Sequence, residues 1–215
     1  ELADYDVALT RFEGEAQLDD NGAAQARLDF TGLEAREQRL ESGQFQLNGS
    51  LAEHQIGLSL LHRRGSLRLS AEGAWGERGW QARLDGGGIA LPGQHWLMVT
   101  PATLSVARDG DAHLSAHCWG WAGARFCSAD QRLNPAPSLQ LAIADLPARA
   151  FRPWLPPSFR WEETLDARVA LELSEQGPRG QAWVDAGSGR VAMRRPVDPD
   201  NLDAEVDEEE DGQAW

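Results

Sequence analysis

Two cysteines carry the clearest chemistry in this sequence. Cys118 and Cys127 bracket the stretch from Trp119 to Phe126. A turn centred on Ala122 and Gly123 would fold that stretch into a hairpin. The two sulfurs would then stand opposite each other, with Trp119 opposite Phe126 on the other face. Such a pair forms a disulfide, stays as two buried thiols, or joins a metal site. A zinc site would need His113 and His117, which in a continuous strand alternate onto the face opposite Cys118, so one ion would hardly collect all of them. The spacing favours a local disulfide and, with it, an oxidising compartment.

Other candidate groups lack partners. Glu162 and Glu163 are adjacent, so in a strand they point to opposite faces and cannot act jointly as acid and base. Gly86-Gly-Gly88 lacks the strand-to-helix context of a phosphate cradle, and there is no nucleophile elbow or metal-ligand cluster. The nine tryptophans would suit sugar stacking or a partner protein if exposed. Trp75, Trp80 and Trp161 instead fall at strand ends or turns, and Trp154 in a proline-bounded segment, which points to sheet capping and core filling. The expectation is a protein with no catalytic residues, no metal and no cofactor.

Composition narrows the partners. The 215 residues include twenty arginines, no lysine and 34 acidic residues, for a net charge of −14. Nine of those acids lie in residues 196–215, leaving 25 acidic against 20 basic residues elsewhere. An acidic surface argues against nucleic acid, whose phosphates need positive charge. No stretch approaches the ~20 apolar residues of a membrane-spanning helix, and the N-terminus lacks the basic and apolar regions of a signal peptide. A first residue Glu1 and a polar end give the expectation of a piece of a longer exported chain.

The elements that must position these residues are strands. Apolar and polar residues alternate strictly through Ala24–Phe30, Phe45 and Leu47, Ile56–Leu60, Leu67–Trp75 and Trp80–Leu84. Further stripes follow at Leu104 and Val106, at Leu114, Ala116 and Cys118, at Leu139–Ile143 and at Leu165–Leu173. Each strand thus has one dry and one wet face. Turns are expected at His62–Gly65, Gly76–Gly79 and Gly86–Gly88. Asp145 is expected to cap a short helix that opens near Pro147 and ends by Pro153 or Pro156. Residues 1–195 read as one β domain, and 196–215 as a disordered acidic tail or a loop between repeats. Strands dry on one side either pack as a sandwich or belong to one long sheet that curls around its apolar face. A membrane barrel is set aside because the stripes are shorter than the ~9–11 residues such strands need.

Resemblance chooses between these. His117-Cys-Trp119 with Ala124-Arg-Phe-Cys127, then Leu141-Ala-Ile-Ala-Asp-Leu-Pro147 and Phe151-Arg-Pro-Trp-Leu-Pro156, resembles the middle of TamB-family proteins of the AsmA-like superfamily, periplasmic translocation and assembly module subunits. The similarity runs over about residues 40–195. It implies an all-β antiparallel meander curled into a taco-like, apolar-lined trough with one short Pro-bounded helix, the β-sandwich remaining the alternative. It further implies a parent chain anchored in the inner membrane of a Gram-negative bacterium and crossing the periplasm. Its partners would be phospholipid acyl chains and, through other parts of the parent, an outer-membrane protein of the Omp85 class, with roles in phospholipid transport and in outer-membrane protein or autotransporter assembly. The residues expected to line the groove are Leu58, Leu69, Leu84, Leu104, Leu114, Leu141, Val169 and Leu171. The alternative is a protein-interaction β module that chaperones or docks assembly partners.

Overall fold

The alternating stripes become long strands, most of them joined by tight turns. The computed structural model describes residues 7–193 apart from 21, 36–37, 157, 175–176 and 189–190, so the expected acidic tail lies outside the described residues. Six strands open the chain as a meander: β1 (Val7–Leu18), β2 (Ala23–Ala35), β3 (Gln38–Ser50), β4 (His54–His62), β5 (Gly65–Gly76) and β6 (Gly79–Leu91). Each pairs antiparallel with the next, the turns at 62–65 and 76–79 falling where expected.

Beyond β6 the next three passes are each broken in the middle. β7 (Gln94–Thr100) and β8 (Ala102–Ala107) flank Pro101, β9 (Ala112–Leu114) and β10 (His117–Trp121) flank Ser115 and Ala116, and β11 (Ala124–Ser128) and β12 (Gln131–Asn134) flank Ala129 and Asp130. The near halves pair in the order β6-β7-β10-β11-β13, the far halves in the order β6-β8-β9-β12. After β13 (Ser138–Pro147) comes a 3₁₀ helix, Ala148–Trp154, then β14 (Phe159–Trp161), β15 (Thr164–Ser174), β16 (Gly177–Asp185) and β17 (Val191–Met193). Fifteen strands form one antiparallel sheet whose path runs from β1 to β16, while β14 and β17 make a separate two-stranded ribbon. The sheet curls without closing, so the trough holds and the sandwich does not.

The breaks form a line of dislocation across the sheet. It starts at Asp85, the extra residue of a bulge between the pairs Ser70–Gly86 and Ala71–Leu84. Bulges bend strands and increase their twist. Side chains satisfy the backbone that the ladder abandons: Thr103 donates its N–H to Ser115 Oγ at 2.8 Å, and Ala116 donates to Asp130 Oδ1 at 3.0 Å. Side chains thus take the place of ladder partners at the bend.

Several expectations need correction. Leu114, Ala116 and Cys118 do not share one strand, because the chain breaks at Ser115 and Ala116. Leu114 faces the apolar side with its partner Leu104, whereas Cys118 faces away from it, next to the apolar-facing Trp119. His113 and His117 consequently fall on opposite faces. Gly86–Gly88 is not a turn but the middle of β6, paired with Ser70, Leu69 and Arg68. Asp145 does not cap the helix: Pro147 holds the cap position without a side-chain hydrogen bond, and Asp145 itself is left-handed at φ 55°. Glu162 and Glu163 lie between strands β14 and β15 rather than in one. The strands reach 13 residues, so length does not exclude a barrel; the open edges at β1 and β16 do.

Gly87 shows why glycines occupy β6. A Cβ there would stand 2.5 Å from Cη2 of Trp119, a residue only 5% exposed, whereas at Gly88 the nearest atom is Leu97 Cδ2 at 3.8 Å. Gly87→Ala is therefore expected to lower the thermal midpoint by the equivalent of about 1–3 kcal/mol, and Gly88→Ala to leave it unchanged or slightly raised. Equal shifts in the two melting curves would contradict this packing.

Candidate functional site: the apolar face of the sheet

Residues directly opposite in an antiparallel ladder share a face, and the registers trace one apolar surface through the whole sheet. One row is Phe45, Leu58, Leu69 and Gly87. A second is Ala82, Leu104 and Leu114, and a third is Phe126, Ile143 and Ala167. All eight residues expected to line a groove lie on this face and are half-buried. Leu58 pairs with Leu69, Leu104 with Leu114 and Leu141 with Val169, while Leu84 and Leu171 stand opposite Ala102 and Leu139. They form a band along the trough rather than one patch.

The band is covered differently along its length. Towards β1, Phe12 is 58% exposed, and towards β16, Val184 is 60% exposed. Around β7, β10, β11 and β13 it is covered. Trp96, Trp119, Ala124, Leu146 and Ala150 form the buried cluster, joined by Leu67, Leu69, Ile89, Met98, Trp121 and Phe126. The 3₁₀ helix supplies the cover, folding back from β13 over β11 and β10 to reach β7. There Gln94 Nε2 donates to the Ala150 carbonyl at 2.9 Å, and Gln94 Oε1 accepts from the Trp96 indole at 2.9 Å. The Arg149 guanidinium sits over the Trp121 ring at 5.6 Å, and Phe151 stacks on Trp161 at 5.7 Å. Sequence reading missed Gln94, because a glutamine on the apolar parity of a strand looks like an outward residue. The alternation Gln94, Trp96, Met98 was the available signal.

The family model described as TamB, N-terminal domain matches residues 2–209. The chain belongs to the TamB family. The match extends beyond the stretch on which the resemblance was seen, and it is to the family's N-terminal domain. No characterised protein and no solved structure matches significantly.

The outer face of this TamB-family chain is polar. Arg27 and Gln44 both donate to Asp29, at 2.6 and 2.7 Å. Chiefly through the Arg27 hydrogen bond, and then that of Gln44, the Asp29 carboxyl is held below its ordinary range. Cys118 and Cys127 also lie on this side, joined as a disulfide between β10 and β11 with Cα atoms 4.1 Å apart. At one margin of the apolar face sits His54, buried, which sequence reading passed over. The Trp80 indole donates to its Nε2 at 2.8 Å, so Nδ1 carries the proton and donates to the Ser50 carbonyl at 2.9 Å. Among the described residues, no three His, Cys, Asp or Glu side chains are grouped to hold a metal ion, and no helix is long and apolar enough to cross a membrane.

Two outcomes follow. The Cys118→Ser, Cys127→Ser double variant is expected to lose roughly 2–3 kcal/mol, the chain-entropy value for a loop closed over nine residues of separation, and to melt several degrees lower with the fold kept. Intact mass after alkylation without reduction is expected to find neither cysteine modified in the wild type. For Asp29, carboxyl NMR is expected to place the titration below the ordinary value. A depressed folded value means that its contribution to stability is complete above the unfolded value and lost as pH falls through the folded one. Gln44→Ala is expected to move that titration upwards.

Proposed function

We propose that this chain forms a section of a periplasmic lipid conduit in a parent protein anchored in the inner membrane, carrying phospholipid acyl chains along the trough. It acts by burial and not by catalysis. The observation that supports this reading is the apolar face that continues through the ladders from β1 to β16, interrupted by a few hydrogen-bonded polar side chains such as His54, Gln94 and Gln131, and uncovered towards both ends. The path counts twelve strands from β1 to β16, which at ~4.8 Å per step is roughly 50 Å of apolar floor. Burying a stretch of about ten methylenes gives roughly 8 kcal/mol before ordering costs, at about 0.8 kcal/mol each. Selection among head groups would be slight. Engagement of an Omp85-class outer-membrane protein falls to other parts of the parent.

A second reading has its own support: β1 is a 12-residue edge strand, a template for an added strand by β-augmentation. In that reading the chain docks or chaperones outer-membrane proteins during assembly.

The two readings separate in one experiment. Photoactivatable phospholipid is expected to crosslink the chain, and Leu58→Asp with Leu69→Asp to reduce crosslinking at least tenfold. Ser59→Asp, on the outer face of the same strand, is expected to leave it unchanged. Equal labelling of both variants, or a lipid-free wild type in native mass spectrometry after gentle purification, would overturn the conduit.

A further inference from the structure

The covered middle of the trough lies directly on the path an acyl chain would take. The 3₁₀ helix crosses the apolar face from β13 to β7 and rests on residues that otherwise continue the band: Trp96, Trp119, Trp121, Phe126, Ile143 and Leu165. The side chains it buries fully are small, Ala148 and Ala150, the latter only 2% exposed. Its larger contacts are at its margins, where half-buried Phe151 packs against the cluster and stacks on Trp161, and Arg149 lies over Trp121. The polar attachments are the Gln94 amide on the Ala150 carbonyl and the Ala148 N–H on the Glu163 carbonyl at 2.8 Å. The helix is seven residues long, contains Pro153 and has no side-chain cap, so little of its order is its own.

We propose that Ala148–Trp154 is a displaceable plug and that the aromatic floor beneath it is a concealed acyl-chain site. This rests on the conduit reading and adds to it that passage is gated within this section. A helix and an acyl chain compete for one surface, so lipid binding at the floor expels the helix, and weakening the helix tightens lipid binding. Gln94 is the latch. Its amide is the one side chain of β7 that reaches the plug by a hydrogen bond among the described residues, and it also holds the Trp96 indole that forms the floor.

The test uses diheptanoyl phosphatidylglycerol below its micellisation concentration, with hydrogen exchange followed along the chain and tryptophan quenching by the bromine-labelled lipid. On lipid addition the amides of Ala148 and Leu155 are expected to exchange at least tenfold faster, while the strand amides of β5 and β6 stay protected. Gln94→Met, which keeps the side chain's length, is expected to bind lipid about five-fold more tightly, the fold-change of one neutral hydrogen bond. Lipid that quenches tryptophan without changing exchange at 148–155 would overturn the plug and leave the conduit standing. No uptake by either protein would overturn both. If Gln94→Met does not fold, the exchange measurement on the wild type decides alone.

Discussion

A sheet of consecutive antiparallel strands with one apolar face has to cover that face, and a single sheet has no second layer with which to do it. The rest of this structure answers that constraint. Alternation places Leu58, Leu69, Leu104 and Val169 on one side and Arg27, Gln44, Arg68 and Arg83 on the other, so the two faces cannot be exchanged without a slip in register. Curling brings the dry faces of distant strands towards one another. Where curling alone is not enough, large side chains fill the space: the rings of Trp96 and Trp121 meet at 5.7 Å, and Trp119 packs so close to β6 that a Cβ at position 87 would stand 2.5 Å from its ring. The helix from Ala148 then covers what the tryptophans leave.

Curling costs hydrogen bonds wherever a strand must bend, and the chain places polar side chains at those positions. Ser115, in the break between β9 and β10, and Asp130, in the break between β11 and β12, accept the backbone N–H groups of Thr103 and Ala116 on the neighbouring passes. The disulfide stands beside the same line on the polar side, tying β10 to β11 where β10 also shifts register against β7. Its position suggests a local brace. It holds a hairpin whose other face carries Trp119 and Phe126, and it leaves the long ladders of β1–β6 to their own pairing.

How much of this was legible follows from which patterns have a period. Strict alternation located most strands of the sheet, and the spacing of Cys118 and Cys127 gave both the bridge and the opposition of Trp119 to Phe126, because a two-residue turn admits only that register. Resemblance supplied the choice of a trough, which alternation cannot make. Two of the misreadings share one cause. A bulge adds a residue and resets parity, so Asp85 hides inside a glycine run that resembles a turn, and the break at Ser115 carries Cys118 to the face opposite Leu114. Gln94 and His54 were missed for a different reason. Each is a polar residue on the dry parity, and its meaning depends on a partner far away in sequence: Ala150 for one and Trp80 for the other.

Those two residues bear on what the trough can recognise. His54 spends its ring nitrogens on Ser50 and Trp80, and the Gln94 amide is engaged by Trp96 and Ala150. No buried side-chain nitrogen or oxygen among the described residues lacks a hydrogen-bond partner. A site built to read a head group or to polarise a reacting bond keeps polar groups free for the ligand, since specificity comes from groups that are unpaired when the ligand is absent. The dry face of this sheet satisfies its polar atoms within the chain and offers a ligand mainly apolar surface. On the conduit reading proposed above, such a surface would discriminate by cross-section and length and would accept the acyl chains of many lipids alike. On the same reading, the stretch under the Ala148–Trp154 helix, where the Gln94 bond to Ala150 can be given up, is where passage would differ from a uniform slide.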